Sequence, residues 1–188
     1  MSTTRAVSTR GQNLETFQIY KNLAWLNELP AAEAEQTFLD CCGSKAWASR
    51  MAEARPFKML DDLFTAAEAL WFSLPPADWL EAFAAHPKIG SKKPARTQER
   101  RAADWSKDEQ AGVDDARETV KQELAAANRL YLEKFGFIFI ICATGKTAEE
   151  MLADCVSRLS NSLQAEINVA AEEQQKITEL RLKKLLEK

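Results

Sequence analysis

The sequence predicts an all-α fold, a single-domain helical bundle of about seven to nine helices with an irregular buried segment near 136–145. Three observations carry this. Apolar residues recur at three- and four-residue spacing along nearly the whole chain. Prolines and glycines divide that pattern into helix-sized pieces. Only one stretch, "FIFIICATG", has the aromatic and β-branched character of a strand, and one strand without a partner makes no sheet. A chain of 188 residues is long enough for one packed core.

Residues 1–12 are small and polar and read as a disordered leader, leaving 13–188 as the folded domain. A first helix starts at Asn13, a good N-cap, carries Phe17, Ile19, Leu23 and Leu26 on its apolar stripe, and meets Pro30. "AAEAEQTFLDCC" is a second, stopped by Gly43. Ser44 caps a third through Trp47 and Met51, broken by the "RPF" of residues 55–57. "MLDDLFTAAEALWFSL" repeats the stripe up to Pro75 and Pro76, and "ADWLEAFAAH" follows, ending before Pro87. The basic stretch 88–101 then reads as a long surface loop. Ser106 and Glu109 have the spacing of a capping box opening a long helix to Gly136. After the irregular segment, Thr147 and Glu150 form another such box, and the helical pattern runs almost to Lys188 with a break near Asn161 or Ala170.

Composition excludes several functions. Lys and Arg number 25 against 28 Asp and Glu, a net charge of −3, so no basic field exists to hold nucleic acid by counterion release. Cys41, Cys42, Cys142 and Cys155 have neither zinc-site spacing nor disulfide-scaffold density, and suit buried thiols in a reducing cytosol. The start of the chain lacks the apolar core of a signal peptide, no run of roughly 18 apolar residues is long enough to span a bilayer, and the final "LEK" is not a peroxisomal address. A cytoplasmic location is expected. With one histidine there is no His-rich metal site, and "TGKT" lacks the first glycine of a phosphate loop.

Chemistry then has few places to reside. His86 is the only imidazole in the chain. At a helix carboxyl end it feels a field that favours the imidazolium, which can donate a proton, although the same position suits a plain capping residue. Glu109 sits in a helix-opening box that explains it structurally, yet a helix N-terminus also keeps a carboxylate ionised and offers amides to a ligand. The "FGFIFIICATG" run reads as core. If extended, its backbone groups need partners, and a flat heterocycle rich in amides would supply them. In "LRLKKLL", Arg181 could fork onto a carboxylate.

Taken together and in order, "HPKIG" at 86–90, "SKDEQ" at 106–110, "FGFIFIICA" at 135–143 and "KITELRL" at 176–182 resemble the 2-oxo-4-hydroxy-4-carboxy-5-ureidoimidazoline (OHCU) decarboxylases, as do the "RPF" and the N-x-x-Y-x-x-KFGF pattern at 128–137. The likeness runs from about residue 13 to the end. The resemblance implies an all-α enzyme, usually a homodimer, that forms (S)-allantoin and CO₂ in urate catabolism with no metal or organic cofactor. The family's catalytic histidine falls on His86 and its binding proline on Pro87. Its substrate-binding motif falls on Ser106, Glu109 and Gln110, with Lys107 and Asp108 between them. Its ring-gripping backbone matches Phe139, Ile140, Ile141, Cys142 and Ala143, and its carboxy-terminal arginine matches Arg181. Many relatives carry a proline where Ile138 stands and a basic residue at the position of Thr144. On this reading His86 gives the proton that sets the product's configuration, and the charge of Glu109 keeps His86 protonated. The rival expectation is a non-enzymatic helical module that binds a partner protein through its aromatic faces and the basic loop; it makes the loop matter and His86 indifferent.

Overall fold

The computed structural model describes residues 6–87, 102, 104, 105, 109 and 117–187, and among them the secondary structure is entirely helical. Eight helices run in order: α1 (Ala6–Glu28), α2 (Ala31–Cys42), α3 (Lys45–Glu53), α4 (Leu60–Phe72), α5 (Pro76–Ala84), α6 (Glu118–Phe135), α7 (Ala148–Arg158) and α8 (Leu163–Leu186). The expected loop 88–101 lies outside the described residues.

Two boundaries differ from the sequence reading. α1 begins at Ala6, inside the expected leader, rather than after Asn13. Helix propagation costs little once a nucleus exists, no proline precedes Pro30, and Gly11 alone opposes it by about 1 kcal/mol. Phe17, placed on the buried stripe by its spacing, is 70% exposed, whereas Leu23 and Leu26 are buried. The long helix expected from Ser106 is interrupted: Arg117 has extended backbone angles (φ −59°, ψ 143°) and α6 starts at Glu118. Gly112 with Asp114 and Asp115 carried that signal in the sequence. Of the two proposed late breaks, the chain turns at Asn161, where Ser162 caps α8 by accepting from the Ala165 amide, and α8 passes through Ala170 unbroken. Other boundaries fall as the residues dictate. Ser44 caps α3, and Thr147 with Glu150 forms the reciprocal box that opens α7.

α8 is the axis of the bundle, packing against α1, α2, α4 and α5, while α6 pairs with α7. Three buried tryptophans tie these layers through their indole N–H groups, which must find acceptors once out of water. Trp47 donates to the Ala67 carbonyl (3.0 Å), Trp71 to Ala171 on α8 (2.9 Å), and Trp79 to Trp71 (3.0 Å). The "RPF" motif is structural. Arg55 gathers the Leu26 and Leu29 carbonyls at the end of α1, each at 2.8 Å, and the Asn27 amide brackets Phe57 through both its backbone N–H (2.9 Å) and C=O (2.8 Å). The Arg55–Pro56 peptide is cis.

Two packing features bring the distant parts of the chain together. Phe137 lies 5.4 Å from Phe83 of α5 and 5.8 Å from Tyr131 of α6, so the irregular segment after Gly136 is pinned beside the end of α5. Gly43 ends α2 in the left-handed region (φ 87°), and a Cβ there would come within 2.7 Å of the Ala85 methyl. Glycine thus lets the carboxyl ends of α2 and α5 touch.

Candidate active site

His86 follows Ala85, the C-cap of α5, and is half-buried. Its Nε2 lies 2.7 Å from Gln174 Oε1 on α8. Gln174 is fully buried, and its own nitrogen is 3.4 Å from the Cys42 carbonyl and 3.2 Å from Thr178 Oγ1. Two helical turns beyond Gln174 on the same face, Arg181 makes a two-point ion pair with Glu109, Nε and Nη2 each 2.8 Å from a different carboxylate oxygen. Its remaining nitrogen is 3.4 Å from the Cys41 carbonyl. Successive carbonyls at the end of α2 therefore anchor the residue that holds His86 and the residue that holds Glu109. This suits helix-terminal C=O groups, which have no intrahelical partner.

The electrostatics correct one expectation. Loss of water around the ring, with the Arg181 charge second, lowers His86 to about 3, and the Gln174 hydrogen bond opposes this only in part. His86 is neutral at pH 7. Glu109 does not hold it as a cation, because its charge is committed to Arg181, and α5 is too short and its end too enclosed for the helix field to prevail.

The segment 139–143 is irregular and buried except for half-buried Cys142. Its backbone groups find side-chain partners, as a coil in the interior requires. The Cys142 N–H donates to Glu173 Oε2 (2.7 Å), and the Ile140 C=O accepts from Arg158 (2.9 Å). Arg158 also lies over the Phe139 ring at 4.7 Å and pairs with the fully buried Glu166 (2.5 Å), which takes the Tyr131 hydroxyl as well. Desolvation raises the Cys142 thiol, and the charges of Glu173 and Glu109 add to the shift, so both carboxylates act on this segment.

The structure thus brings His86, Glu109 and the 139–143 segment against the stretch of α8 from Glu173 to Arg181, with Pro87 half-buried beside His86. Ser106, Lys107, Asp108 and Gln110 lie outside the described residues. A cavity of about 280 Å³ adjoins the group, walled by Arg181, Asp40, Gly43, Ala84 and Ala85 among others. Among the described residues, His86 and the 139–143 segment are not part of its wall. No group of three or more potential metal ligands occurs among the described residues. Gln174, Thr178, Glu173 and Arg158 were missed in the sequence. For the first two a signal existed: with Arg181 they stand at i, i+4 and i+7, three polar residues on the stripe that Ile177 and Leu185 mark as buried.

The family model for OHCU decarboxylase matches residues 27–183. The chain belongs to the OHCU decarboxylase family. Among its relatives in this family it is 41% identical over 146 residues to the uric acid degradation bifunctional protein TTL of Arabidopsis thaliana, covering 77% of this chain and 45% of that one. It is 32% identical to the 2-oxo-4-hydroxy-4-carboxy-5-ureidoimidazoline decarboxylase of Amia calva, covering 74% of this chain and 79% of that one. The chain spans less than half the length of the plant bifunctional protein it matches. An OHCU decarboxylase crystallised in the presence of (S)-allantoin superposes with a TM-score of 0.70 at 39% identity, over 80% of this chain and 97% of that one. The family's all-α architecture agrees with the helices described above. No helix among the described residues is long and apolar enough to cross a membrane.

Proposed function

We propose that this protein decarboxylates 2-oxo-4-hydroxy-4-carboxy-5-ureidoimidazoline to (S)-allantoin and CO₂, with His86 moving the proton. The observation that carries the reading is the convergence of a neutral imidazole, a buried Glu109–Arg181 pair and the 139–143 backbone on the stretch of α8 from Glu173 to Arg181. Membership in the family supports it.

The chemistry suits these residues. Carbon 4 of the substrate bears a hydroxyl and a carboxylate, and carbon 5 takes part in a C=N bond. As the bond to the carboxyl group breaks, its electron pair forms C4=C5, and the C=N pair moves onto nitrogen, which takes a proton from water. The ring is its own electron sink. The enol that remains must lose the hydroxyl proton and gain one at carbon 5. A neutral histidine can do both in turn: it accepts the hydroxyl proton as a base and delivers it as an acid to one face of carbon 5, which sets the (S) configuration. Such a positioned group contributes roughly 10²- to 10⁴-fold. Glu109, with Ser106 and Gln110, holds the hydroxyl and ureido groups, Pro87, Lys107 and Asp108 flank them, and Arg181 orients Glu109 through its two-point contact. The amides of Phe139, Ile140, Ile141, Cys142 and Ala143 take the ring, whose carbonyl competes with Glu173 for the Cys142 N–H. The family resemblance further supports a homodimer acting in the cytoplasm.

The test is to add the protein to freshly generated urate-oxidation product, alongside a panel of related ureido acids, and follow CO₂ release and the circular dichroism of allantoin. Equimolar CO₂ and (S)-allantoin, formed faster than in buffer and only from this substrate, is the expected result. Racemic product at the buffer rate would overturn the reading.

A further inference from the structure

The hydrogen bonds around Gln174 have only one consistent direction. The Cys42 carbonyl, 3.4 Å from one end of the amide, can only accept. Thr178 Oγ1, 3.2 Å from the same end, gives its own proton to the Gln174 backbone carbonyl (3.0 Å), so it too offers only lone pairs there. The end facing them must therefore be the NH₂ group. Turned over, the amide would set its oxygen against the Cys42 carbonyl and could be satisfied by Thr178 only by taking its proton from the Gln174 backbone carbonyl, in a site where Gln174 and Thr178 are 0% and 1% exposed and each unmade bond costs about 1–3 kcal/mol. The amide oxygen is thus committed to His86, 2.7 Å away, and a contact that close requires a proton on Nε2. Among the described residues none reaches Nδ1.

We propose that Gln174 is a positioning residue that fixes His86 in its Nε2–H tautomer, so that Nδ1 is the nitrogen that exchanges a proton with the substrate. The first half stands on the hydrogen-bond geometry alone; the second rests on the function proposed above. The tautomer of a histidine is set by the bond its other nitrogen makes. An amide in that place orients the ring without adding a negative charge. A carboxylate would stabilise the imidazolium and so weaken it as an acid when the proton must be returned. The charged groups facing the ring fit this: Arg181 from α8 is the near cation, and its partner Glu109 is engaged with it at 2.8 Å. Gln174 gives direction, and Cys42 and Thr178 give the amide its own.

Because the chain has a single histidine, protein labelled with ¹⁵N-histidine gives one imidazole whose two nitrogens are read directly by NMR. At pH 7 the wild-type spectrum is expected to be that of the neutral Nε2–H form. An imidazolium, an Nδ1–H form or an averaged mixture would overturn the tautomer assignment. In Gln174→Met, of similar size but with no acceptor for Nε2, the second tautomer is expected to populate and kcat to fall about tenfold or more with KM changed less than about threefold. An unmoved spectrum would refute the role of Gln174, and if this variant does not fold the wild-type spectrum still decides the tautomer. Should the wild type give the predicted spectrum yet no turnover, the function reading fails while the tautomer stands.

Discussion

Arg181 and Glu109 meet in a buried two-point pair, both bonds 2.8 Å long, across 72 residues of sequence. An isolated ion here would be left without water, and breaking such a pair by removing one partner costs about 3–5 kcal/mol. Glu109→Gln and Arg181→Met are each expected to lose that much in urea unfolding. The double variant should lose distinctly less than the sum, because it leaves no orphan charge. Strict additivity would mean that the two residues do not depend on each other.

Gly43 holds the ends of α2 and α5 together. In Gly43→Ala the backbone would keep an unfavourable left-handed conformation, worth about 1–2 kcal/mol, and the new methyl would stand 2.7 Å from that of Ala85, one residue before His86. The expected outcome is a destabilisation above 2 kcal/mol by urea unfolding, with turnover reduced in the fraction that remains folded, since α5 must shift. A variant of normal activity and stability would contradict this role.

The neutral state of His86 has a signature in acid. Its folded value is lowered from 6.5 to about 3, so between those limits the unfolded chain binds the extra proton. Stability from this group is therefore undiminished above about pH 6.5 and falls as the pH drops toward 3, by at most about 1.4 kcal/mol per pH unit. The stability of wild type minus that of His86→Gln should fall by up to about 2 kcal/mol between pH 7 and pH 5, other titrations cancelling in the difference. A difference independent of pH would mean that the imidazole is freely solvated.

Arg158 supports the 139–143 segment from behind, bonding the Ile140 carbonyl (2.9 Å) and pairing with buried Glu166 (2.5 Å). Arg158→Met is expected to lose about 3–5 kcal/mol by leaving that buried carboxylate without a countercharge. Arg158→Met with Glu166→Gln should recover much of the stability, while substrate KM stays raised because the carbonyl remains unheld. Restoration of both stability and KM would remove Arg158 from any part in binding.

The fold was legible where local chemistry acts alone. Ser44 and Thr147 cap the helices their side chains announce, Gly43 and Gly136 end others, and the lone β-like segment is buried coil, with no second strand among the described residues to pair with it. The break before α6 was legible only in part, since Gly112 with Asp114 and Asp115 signals it while the Ser106 and Glu109 spacing argues for one continuous helix. His86, Glu109 and Arg181 could be named from ordered motifs, and Arg181 forks onto a carboxylate as its chemistry allows. The charge state of His86 could not. A helix end argued for an imidazolium, but the half-buried ring has lost much of its water and a guanidinium is near, and both facts belong to the packing of α8 against α2 and α5. Gln174 could be noticed as a polar residue on a buried stripe, but not its role, because its partner Cys42 lies 132 residues away.

The central claim, that one imidazole moves the proton that fixes the product's hand, is tested most directly with His86→Asn, followed by circular dichroism at a wavelength where allantoin is optically active. A fall of roughly 10²- to 10⁴-fold in the rate of (S)-allantoin formation is predicted, with any residual product racemic. Formation of (S)-allantoin at the parental rate would contradict it.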